Sequence, residues 1–243
     1  MIFTEEIFIQ MRATLIFFAL AFALTAWAGD FSFESGQQKT HLIELFTSQG
    51  CSNCPPAEAW LSKLKAEPRL WKDFVPIAFH VDYWDRLGWR DPFASKEWTA
   101  RQYQYSENWK SESVYTPGFV LDGREWMGRS IPSAATEKPG VLKLSIKDQK
   151  LVVEFLAADG GAKDVDLHVA TLGFDLAIKV TAGENSGRNL NQDFVVLSLT
   201  NQKMPGGKAE TVLKPDSRAG AIAAWITAPN RLEAIQSVGG WLK

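Results

Sequence analysis

Apolar and polar residues follow two different patterns in the two halves of the chain. In the first half, residues 40–47 and 74–81 form two nearly continuous apolar runs, which is typical of strands buried on both faces of a parallel sheet. Between them, residues 55–66 carry apolar side chains at helical spacing, and Pro68 ends this predicted helix. A strand, a helix and a strand in this order predict a right-handed crossover, with both strands ending on the same side of the sheet.

A second helix and a hairpin are predicted next. Residues 95–110 have the pattern of a helix, and Asp122-Gly123 between apolar runs is a two-residue hairpin signal. Pro117 stands where the first strand of this hairpin begins. The Thr116–Pro117 bond is a candidate cis peptide bond, because proline is the residue that makes the cis isomer accessible at low cost.

From residue 141 onward, short runs alternate apolar and polar residues and are separated by glycine-rich turns. About eight short strands with regular turn signals predict an antiparallel β-sandwich. The predicted strands include residues 141–147, 151–157, 164–171, 176–181, 194–199 and 221–227. We therefore expect an α/β domain at residues 29–138, followed by an all-β antiparallel sandwich domain at residues 139–243. His168 alternates with apolar neighbours and is expected to be structural.

The N-terminal residues have the pattern of a secretory signal peptide. An apolar run follows Arg12, and Ala26-Trp27-Ala28 provides the small residues of a cleavage site. Acidic residues precede Met11 and do not suit such a signal, so Met11 is the expected start. The run is too short for a comfortable membrane span. We expect residues 1–28 to be removed, leaving no membrane span and a periplasmic or secreted protein in a compartment where disulfides persist.

Charge excludes some classes of partner. The 243 residues include 26 Lys and Arg against 28 Asp and Glu, so the formal net charge is −2. Nucleic acids and anionic membranes are bound by basic surfaces, and this composition predicts neither kind of partner.

Cys51 and Cys54 are the only cysteines and stand at the predicted junction of strand and helix. The positive end of a helix dipole and its free N–H groups lower a thiol pKa and favour the nucleophilic thiolate. A disulfide that closes so small a loop contributes only about 2 kcal/mol by loop entropy, which favours redox chemistry over an inert staple. A structural zinc site needs four ligands, and the three histidines are scattered, so no metal or other cofactor is predicted.

Other candidate residues lie around the predicted sheet. Glu44 interrupts the first strand, either as an edge acid that faces solvent or as a carboxylate below the cysteines that exchanges a proton with the inner thiol. Open α/β sheets bind ligands beyond the carboxyl ends of their strands. The candidate substrate-binding residues at that position are His80, Asp82, Tyr83 and Trp84. The alternative is a surface loop whose tryptophans pack on the protein itself.

Several segments together resemble an uncharacterised secreted thioredoxin-like family, domain of unknown function 1223. They are ELFTSQGC (44–51), FHVDYWD (79–85), GWxDPF (88–93), VYTP (114–117) and, in the second half, GEN with GRNL (183–190). The resemblance implies an α/β thioredoxin-like domain ahead of the sandwich and a thiol–disulfide role. It places Thr116 and a cis Pro117 opposite the disulfide, where they hold the substrate chain. The segment at 183–190 either folds back onto the redox site or forms a plain long hairpin.

The leading hypothesis is an exported thiol–disulfide oxidoreductase that acts on protein or small-thiol substrates together with a redox partner protein. Cys51 forms the mixed disulfide, Cys54 resolves it, and Glu44 shuttles the proton. Ser52-Asn53 replaces the Gly-Pro of well-studied thioredoxins, which leaves the redox potential open. A soft-metal carrier is the first alternative, with both cysteines gripping Cu(I) near His80. The second is a non-catalytic binding module in which the sandwich recognises a partner.

Overall fold

The computed structural model describes residues 29–127, 130–160, 164–214 and 216–242, so the predicted signal peptide lies outside the described residues. Within them, the two α-helices are α1 (Pro55–Lys63) and α2 (Lys96–Trp109). The strands of the first half are β1 (Phe31–Glu34), β2 (His41–Thr47), β3 (Phe74–Val81), β4 (Ala94–Ser95), β5 (Gly118–Leu121) and β6 (Arg124–Trp126). Those of the second half are β7 (Gly140–Lys147), β8 (Lys150–Ala157), β9 (Val165–Gly173), β10 (Leu176–Lys179), β11 (Asn189–Gln192), β12 (Val195–Met204), β13 (Lys208–Val212), β14 (Ala219–Thr227) and β15 (Ala234–Trp241).

One mixed nine-stranded sheet joins both halves of the chain. Its order is β15-β14-β9-β12-β3-β2-β5-β6, with β4 paired to β3. The junction is β12, which runs parallel to β3 with Val195 opposite Ala78 and antiparallel to β9. The Ala78 N–H also donates to the Phe194 carbonyl at 2.8 Å. Strands on both sides of the predicted boundary at residues 138 and 139 therefore share one hydrogen-bonded sheet.

A second sheet covers part of the first. Its order is β1-β7-β8-β13, and all of its pairings are antiparallel. The strand β1, from the start of the described chain, pairs with β7 of the second half. Inward-facing side chains of β7 and β8 pack with β9, β14 and β15 in a common apolar core that includes Leu142, Leu144, Val153, Leu167, Ile222, Ile226 and Val238. The two halves of the chain thus interlock in both sheets.

The expected fold class, an α/β thioredoxin-like domain followed by a separate all-β sandwich, is wrong. The structure is 45% strand and 16% helix, and its sheets are mixed and antiparallel. Alternation of apolar and polar residues identifies a strand with one covered face, but it does not reveal which sheet that strand joins. The sequence signal that was missed is the nearly continuous run of small and apolar residues in β14 (AGAIAAWIT). All nine residues of this strand are buried. Such a strand is covered on both faces and belongs inside a large sheet.

The predictions made from the sequence were more accurate for the individual helices and strands than for the overall fold. β3 has the predicted bounds, β2 lacks only the first predicted residue, and the helix predicted at residues 55–66 is α-helical to Lys63 and then continues as a 3-10 turn. The Asp122-Gly123 hairpin is present, and the Thr116–Pro117 bond is cis. The short strands β1, β11 and β13 and the strand β15 were not predicted. Among the described residues, no helix has the length and apolar character needed to cross a membrane.

Gly239 provides a test of the packing on the large sheet. A Cβ atom at this position would lie 2.5 Å from Cε3 of Trp71 and 3.0 Å from the carbonyl oxygen of Ile222. The Trp71 ring cannot move aside easily, because it packs edge-to-face against two further aromatic rings. We predict that Gly239→Ala lowers the free energy of unfolding by about 1–3 kcal/mol, as overpacked core positions do. Urea denaturation measures this change.

Gly36→Ala is the matched control. The nearest atom to a Cβ at Gly36 is the backbone nitrogen of Gln38 at 3.8 Å, which is an ordinary contact. We expect this variant to change the free energy of unfolding by less than about 0.5 kcal/mol. Equal losses in both variants would contradict the packing argument.

Candidate functional site

The two cysteines form a disulfide at the start of α1, with their Cα atoms 5.4 Å apart. After β2 the chain turns, and the Cys51 N–H donates to the Ser48 carbonyl at 3.1 Å. Cys54 is the N-cap residue of α1, and Pro55 and Pro56 follow in the first turn, where no N–H partner is required. Both sulfur atoms are therefore held at the positive end of the helix dipole, which favours a thiolate after reduction.

Trp84 and the cis-proline loop lie beside Cys51. A Cβ at Gly50 would come 2.9 Å from the Trp84 Cβ, so only glycine lets the tryptophan pack this closely on the turn. Trp84 Nε1 donates to Thr116 Oγ1 at 2.8 Å. The Thr116 carbonyl oxygen, immediately before Pro117, lies 3.7 Å from Cys51 Sγ. The structure thus brings together these predicted residues, whose role in substrate binding stays a prediction.

Tyr83 and Asp82, also predicted to bind substrate, have other partners. The Tyr83 hydroxyl donates to Gln102 at 3.2 Å, and Gln102 in turn donates to the Tyr115 carbonyl beside the cis-proline loop. Burial raises the pKa of Tyr83 to about 12, so its hydroxyl stays neutral. Asp82 accepts from the Thr99 hydroxyl at 2.6 Å, which ties the end of β3 to α2. Tyr83 therefore supports the cis-proline loop through Gln102, and Asp82 holds α2 against the end of β3.

Glu44 is fully buried, so it is not the solvent-facing acid that the sequence allowed. Arg101 Nε donates to one carboxylate oxygen at 2.7 Å, and the Tyr105 hydroxyl donates to the other. Burial opposes the charged guanidinium, but the attraction of Glu44 outweighs it and raises the pKa of Arg101. Both carboxylate oxygens of Glu44 thus accept hydrogen bonds from side chains of α2, and neither is hydrogen-bonded to Cys54.

A different buried acid, Glu58, was missed in the sequence analysis. It lies one helical turn after Cys54, on the same side of α1, and its N–H donates to the Cys54 carbonyl at 3.1 Å. Thr47 donates to one carboxylate oxygen at 2.6 Å and Gln192 to the other at 3.1 Å. Burial raises the pKa of Glu58, with smaller opposing effects from neighbouring groups. The spacing of four residues from Cys54 is the signal that identifies this acid.

His80 is paired with Asp91 in the interior below the cysteine turn. Both side chains are 0% exposed, and Nδ1 lies 2.7 Å from Oδ2. The same carboxylate oxygen accepts the Gln49 N–H at 2.8 Å, which links the pair to the turn that carries Cys51. Burial opposes a charged imidazole, but Asp91 attracts and hydrogen-bonds it and raises the pKa of His80. His80 is thus an interior support of the site and not part of a substrate-contacting wall.

The second half of the chain also reaches the cysteines. Strands β10 and β11 form a two-stranded hairpin, which we call the arm (residues 176–192). At its tip, the fully buried Asn185 donates from Nδ2 to the carbonyls of Gln49 and Cys51, at 2.9 and 2.8 Å. Glu184 accepts from both the N–H and the hydroxyl of Ser52, at 3.0 and 2.7 Å. The segment is therefore a hairpin and also folds back onto the turn that carries Cys51.

His168 lies apart from the cysteine site and agrees with its predicted structural role. Its ring stacks on Trp225 with the centroids 5.1 Å apart. Nδ1 lies 2.7 Å from Asn201 Oδ1, and Nε2 lies 3.2 Å from Thr227 Oγ1. Burial lowers the pKa of His168 to about 4, so the ring is neutral and both nitrogens are satisfied.

Comparison with known families matches residues 42–225 to the model described as Protein of unknown function (DUF1223). The chain belongs to this family. A crystal structure of a protein from Agrobacterium tumefaciens is similar to this DUF1223 chain, with 25% identity and a TM-score of 0.64 over 84% of this chain and 95% of that one. HBP35 of Porphyromonas gingivalis has a TM-score of 0.53 with 14% identity, covering 85% of this chain and 76% of its own, and shows a likeness of fold alone. No curated protein matches.

These comparisons correct the sequence-based classification of this DUF1223 protein. Neither solved structure is described as thioredoxin-like or as an oxidoreductase, so the comparisons support neither term for this chain. The thioredoxin-like classification is wrong, because the fold is a mixed and antiparallel β structure. The thiol–disulfide role stays a prediction.

Replacing Glu44 tests whether it is structural. We predict that Glu44→Gln lowers the free energy of unfolding by about 3–5 kcal/mol, because the buried Arg101 guanidinium loses its countercharge. Urea denaturation measures the loss. Glu112→Gln, at an exposed position, is the control and is expected to stay within about 0.5 kcal/mol of the wild type. Thiol exchange by the folded fraction of Glu44→Gln should be normal, and selective loss of exchange with full stability would instead support the proton-shuttle role.

Proposed function

We propose that this protein carries out thiol–disulfide exchange through Cys51 and Cys54, outside the cytosol. The observation that carries the proposal is the position of the pair. The only two cysteines of the chain are bonded to each other at the start of α1, and Cys51 Sγ faces the Thr116 carbonyl beside a cis-proline. A structural staple needs neither the helix start nor such a neighbour.

The exchange proceeds through a mixed disulfide. A client thiolate attacks Cys51 Sγ, a bond forms between the two sulfurs, the Cys51–Cys54 bond breaks, and Cys54 leaves as a thiolate. A second client thiolate then displaces Cys51, which leaves an oxidised client and a reduced pair. In the opposite direction, Cys51 attacks a client disulfide, and Cys54 displaces the client thiol and regenerates the Cys51–Cys54 bond. The roles follow from position, since Cys51 precedes α1 and Cys54 begins it.

Cys54 is fully buried, so its proton needs a buried acceptor and donor. Glu58 is the acid in that position, one turn along α1 and held by Thr47 and Gln192. Burial raises the pKa of Glu58 above the usual carboxyl range, and enzymes tune the acids that exchange protons in the same direction. In this scheme Glu58 takes the proton of Cys54 before resolution and returns it when the disulfide opens, a role that the sequence analysis assigned to Glu44.

The surface beside Cys51 suits an extended thiol-bearing chain. The Thr116 carbonyl oxygen lies 3.7 Å from the sulfur, Trp84 donates to the Thr116 hydroxyl, and the neighbouring Tyr115 is 47% exposed. Aromatic groups provide large apolar contact area with a polar end, which suits varied polypeptide substrates. Protein thiols and small thiols are therefore the substrates we propose, and a redox partner protein restores the pair after each cycle.

Cysteine variants test the proposal directly. We predict that Cys54→Ala accumulates mixed disulfides through Cys51, because the resolving thiol is absent. Cys51→Ala should accumulate few, because Cys54 is held at the start of α1, whereas Cys51 precedes the helix and lies beside the Thr116 carbonyl. Non-reducing gels of protein isolated from its native compartment measure the adducts, and insulin reduction measures the exchange catalysed by the purified protein. Equal trapping by both variants would overturn the assignment of roles.

Two other results would favour a soft-metal carrier or a binding module over thiol–disulfide exchange. Stoichiometric copper in the reduced protein, lost in either cysteine variant, would indicate a soft-metal carrier. Such a carrier would depend on the cysteine pair, because the described residues contain no group of three or more His, Cys, Asp or Glu placed to hold a metal. Unchanged partner binding and absent exchange in both variants would indicate a binding module.

Glu58→Gln tests the proton acceptor. We predict that release of the client by Cys54 slows by about 10–100-fold near neutral pH, at or below the usual contribution of a general base. Rapid-quench measurement of the mixed disulfide gives this rate as a function of pH. The wild-type rate should rise with pH through the raised pKa of Glu58, and this inflection should be absent in the variant.

Stability provides an independent readout for the same variant. Because burial raises the pKa of Glu58, the folded state binds more protons than the unfolded state, and stability falls as pH rises through that pKa. Glu58→Gln removes this loss, so the variant should gain stability relative to the wild type as pH increases. Glu97→Gln, at an exposed position on α2, is the control for both readouts. An unchanged inflection in Glu58→Gln would show that another group accepts the proton.

A further inference from the structure

The tip of the arm is hydrogen-bonded to the turn that carries Cys51. Cys51 is only 1% exposed although it precedes the helix and carries the accessible role in the proposed exchange. Asn185 holds the carbonyls on either side of Gly50, and Glu184 holds Ser52, whose N–H belongs to the peptide bond that Cys51 forms. An attacking thiol therefore has to reach a sulfur that the closed structure covers.

The carboxylate of Glu184 is the charged group of this enclosure. It is exposed to solvent. Two hydrogen bonds lower the pKa of Glu184, and the one from the Ser52 N–H has a larger effect than the one from the Ser52 hydroxyl. It therefore remains negative at neutral pH. When the disulfide is intact, the cysteines carry no negative charge that would repel the Glu184 carboxylate. Reduction changes this, because a Cys51 thiolate places a second negative charge beside the donors that Glu184 occupies.

Other charged groups also lie near the tip of the arm. Arg188 lies on the arm itself and donates to Asn185 Oδ1 at 2.7 Å. The segment 85–90 packs against Gly183 and carries Asp85, Arg86 and Arg90. On α1 the nearest acid is Glu58, which is buried between Thr47 and Gln192. Glu184 is the acid of this set that hydrogen-bonds to the residue directly after Cys51.

We propose that Glu184 is a positioning residue that sets the reactivity of Cys51 by charge. It holds the arm closed over the oxidised pair, and after reduction it opposes the Cys51 thiolate and is released from Ser52 by repulsion. The inference rests on the proposed function for its biological meaning, and it makes the second half of the chain a regulator of access to the cysteines.

Glu184→Gln tests the charge while it keeps the size of the side chain and an oxygen that accepts from Ser52. Iodoacetamide alkylation of Cys51 is measured across pH in protein that dithiothreitol has reduced. We expect the alkylation profile of the variant to shift to lower pH and its rate at neutral pH to rise by about threefold, which corresponds to half a unit in a thiol titration. The difference should shrink in about 1 M salt, where the Debye length falls to about 3 Å.

Two matched variants separate charge from covering. Asn185→Ala weakens the closed arm without changing charge, so we expect faster alkylation at every pH with no shift of the profile and little dependence on salt. Ser186→Ala changes an exposed, uncharged residue of the same tip and should match the wild type. Hydrogen exchange of residues 180–188 should increase on reduction in the wild type and much less in Glu184→Gln.

The outcomes distinguish this inference from the function on which it rests. Alkylation of chemically reduced protein is measurable whether or not the pair exchanges with clients. Normal client exchange together with identical alkylation profiles for the wild type and Glu184→Gln would overturn the inference and leave the function intact. A salt-sensitive shift in Glu184→Gln without any client exchange would support the electrostatic coupling and overturn the proposed function.

Discussion

The parallel pairing of β12 with β3 is the interaction on which the rest of the structure depends. It hydrogen-bonds the second half of the chain to the first at Val195 and Ala78. The arm ends at Gln192, immediately before this junction, so the same pairing fixes the arm against α1. From that position Gln192 reaches the buried Glu58, and the arm tip reaches the turn of Cys51. A long-range strand pairing thus completes a site whose two cysteines are only three residues apart in the sequence.

The interior of this site is unusually polar for its depth, and the charges are paired. Removing an ion from water costs several kcal/mol, which a well-placed partner and further hydrogen bonds have to offset. Arg101 with Glu44 on one side of α2, and His80 with Asp91 below the cysteine turn, both meet that requirement. Each pair also fixes an element, since Asp91 accepts the Gln49 N–H and Glu44 anchors α2. The polar pairs therefore specify where the turn and the helix sit.

Local patterns in the sequence predicted the centre of the site but not its surroundings. The Cys-x-x-Cys at a helix start and the cis Thr116–Pro117 bond depend on residues close in the chain, and both were predicted. Glu58 lies one turn after Cys54 on α1, whereas Glu44 faces Arg101 and Tyr105 of α2, and this difference is fixed only by packing. The contribution of Asn185 depends on a pairing across more than a hundred residues, which a single sequence does not encode in any local pattern. For the same reason, alternation in the second half suggested a separate sandwich.

The shared sheet also changes how the second half of the chain is understood. A recognition module needs a surface of its own and a core that closes without the rest of the chain. Here β9, β12 and β14 extend the sheet that carries the cysteine turn, and β1 of the first half completes the smaller sheet. Separating the halves would break pairings in both sheets and withdraw Asn185 and Gln192 from the site. The second half is therefore part of the scaffold of the cysteine site.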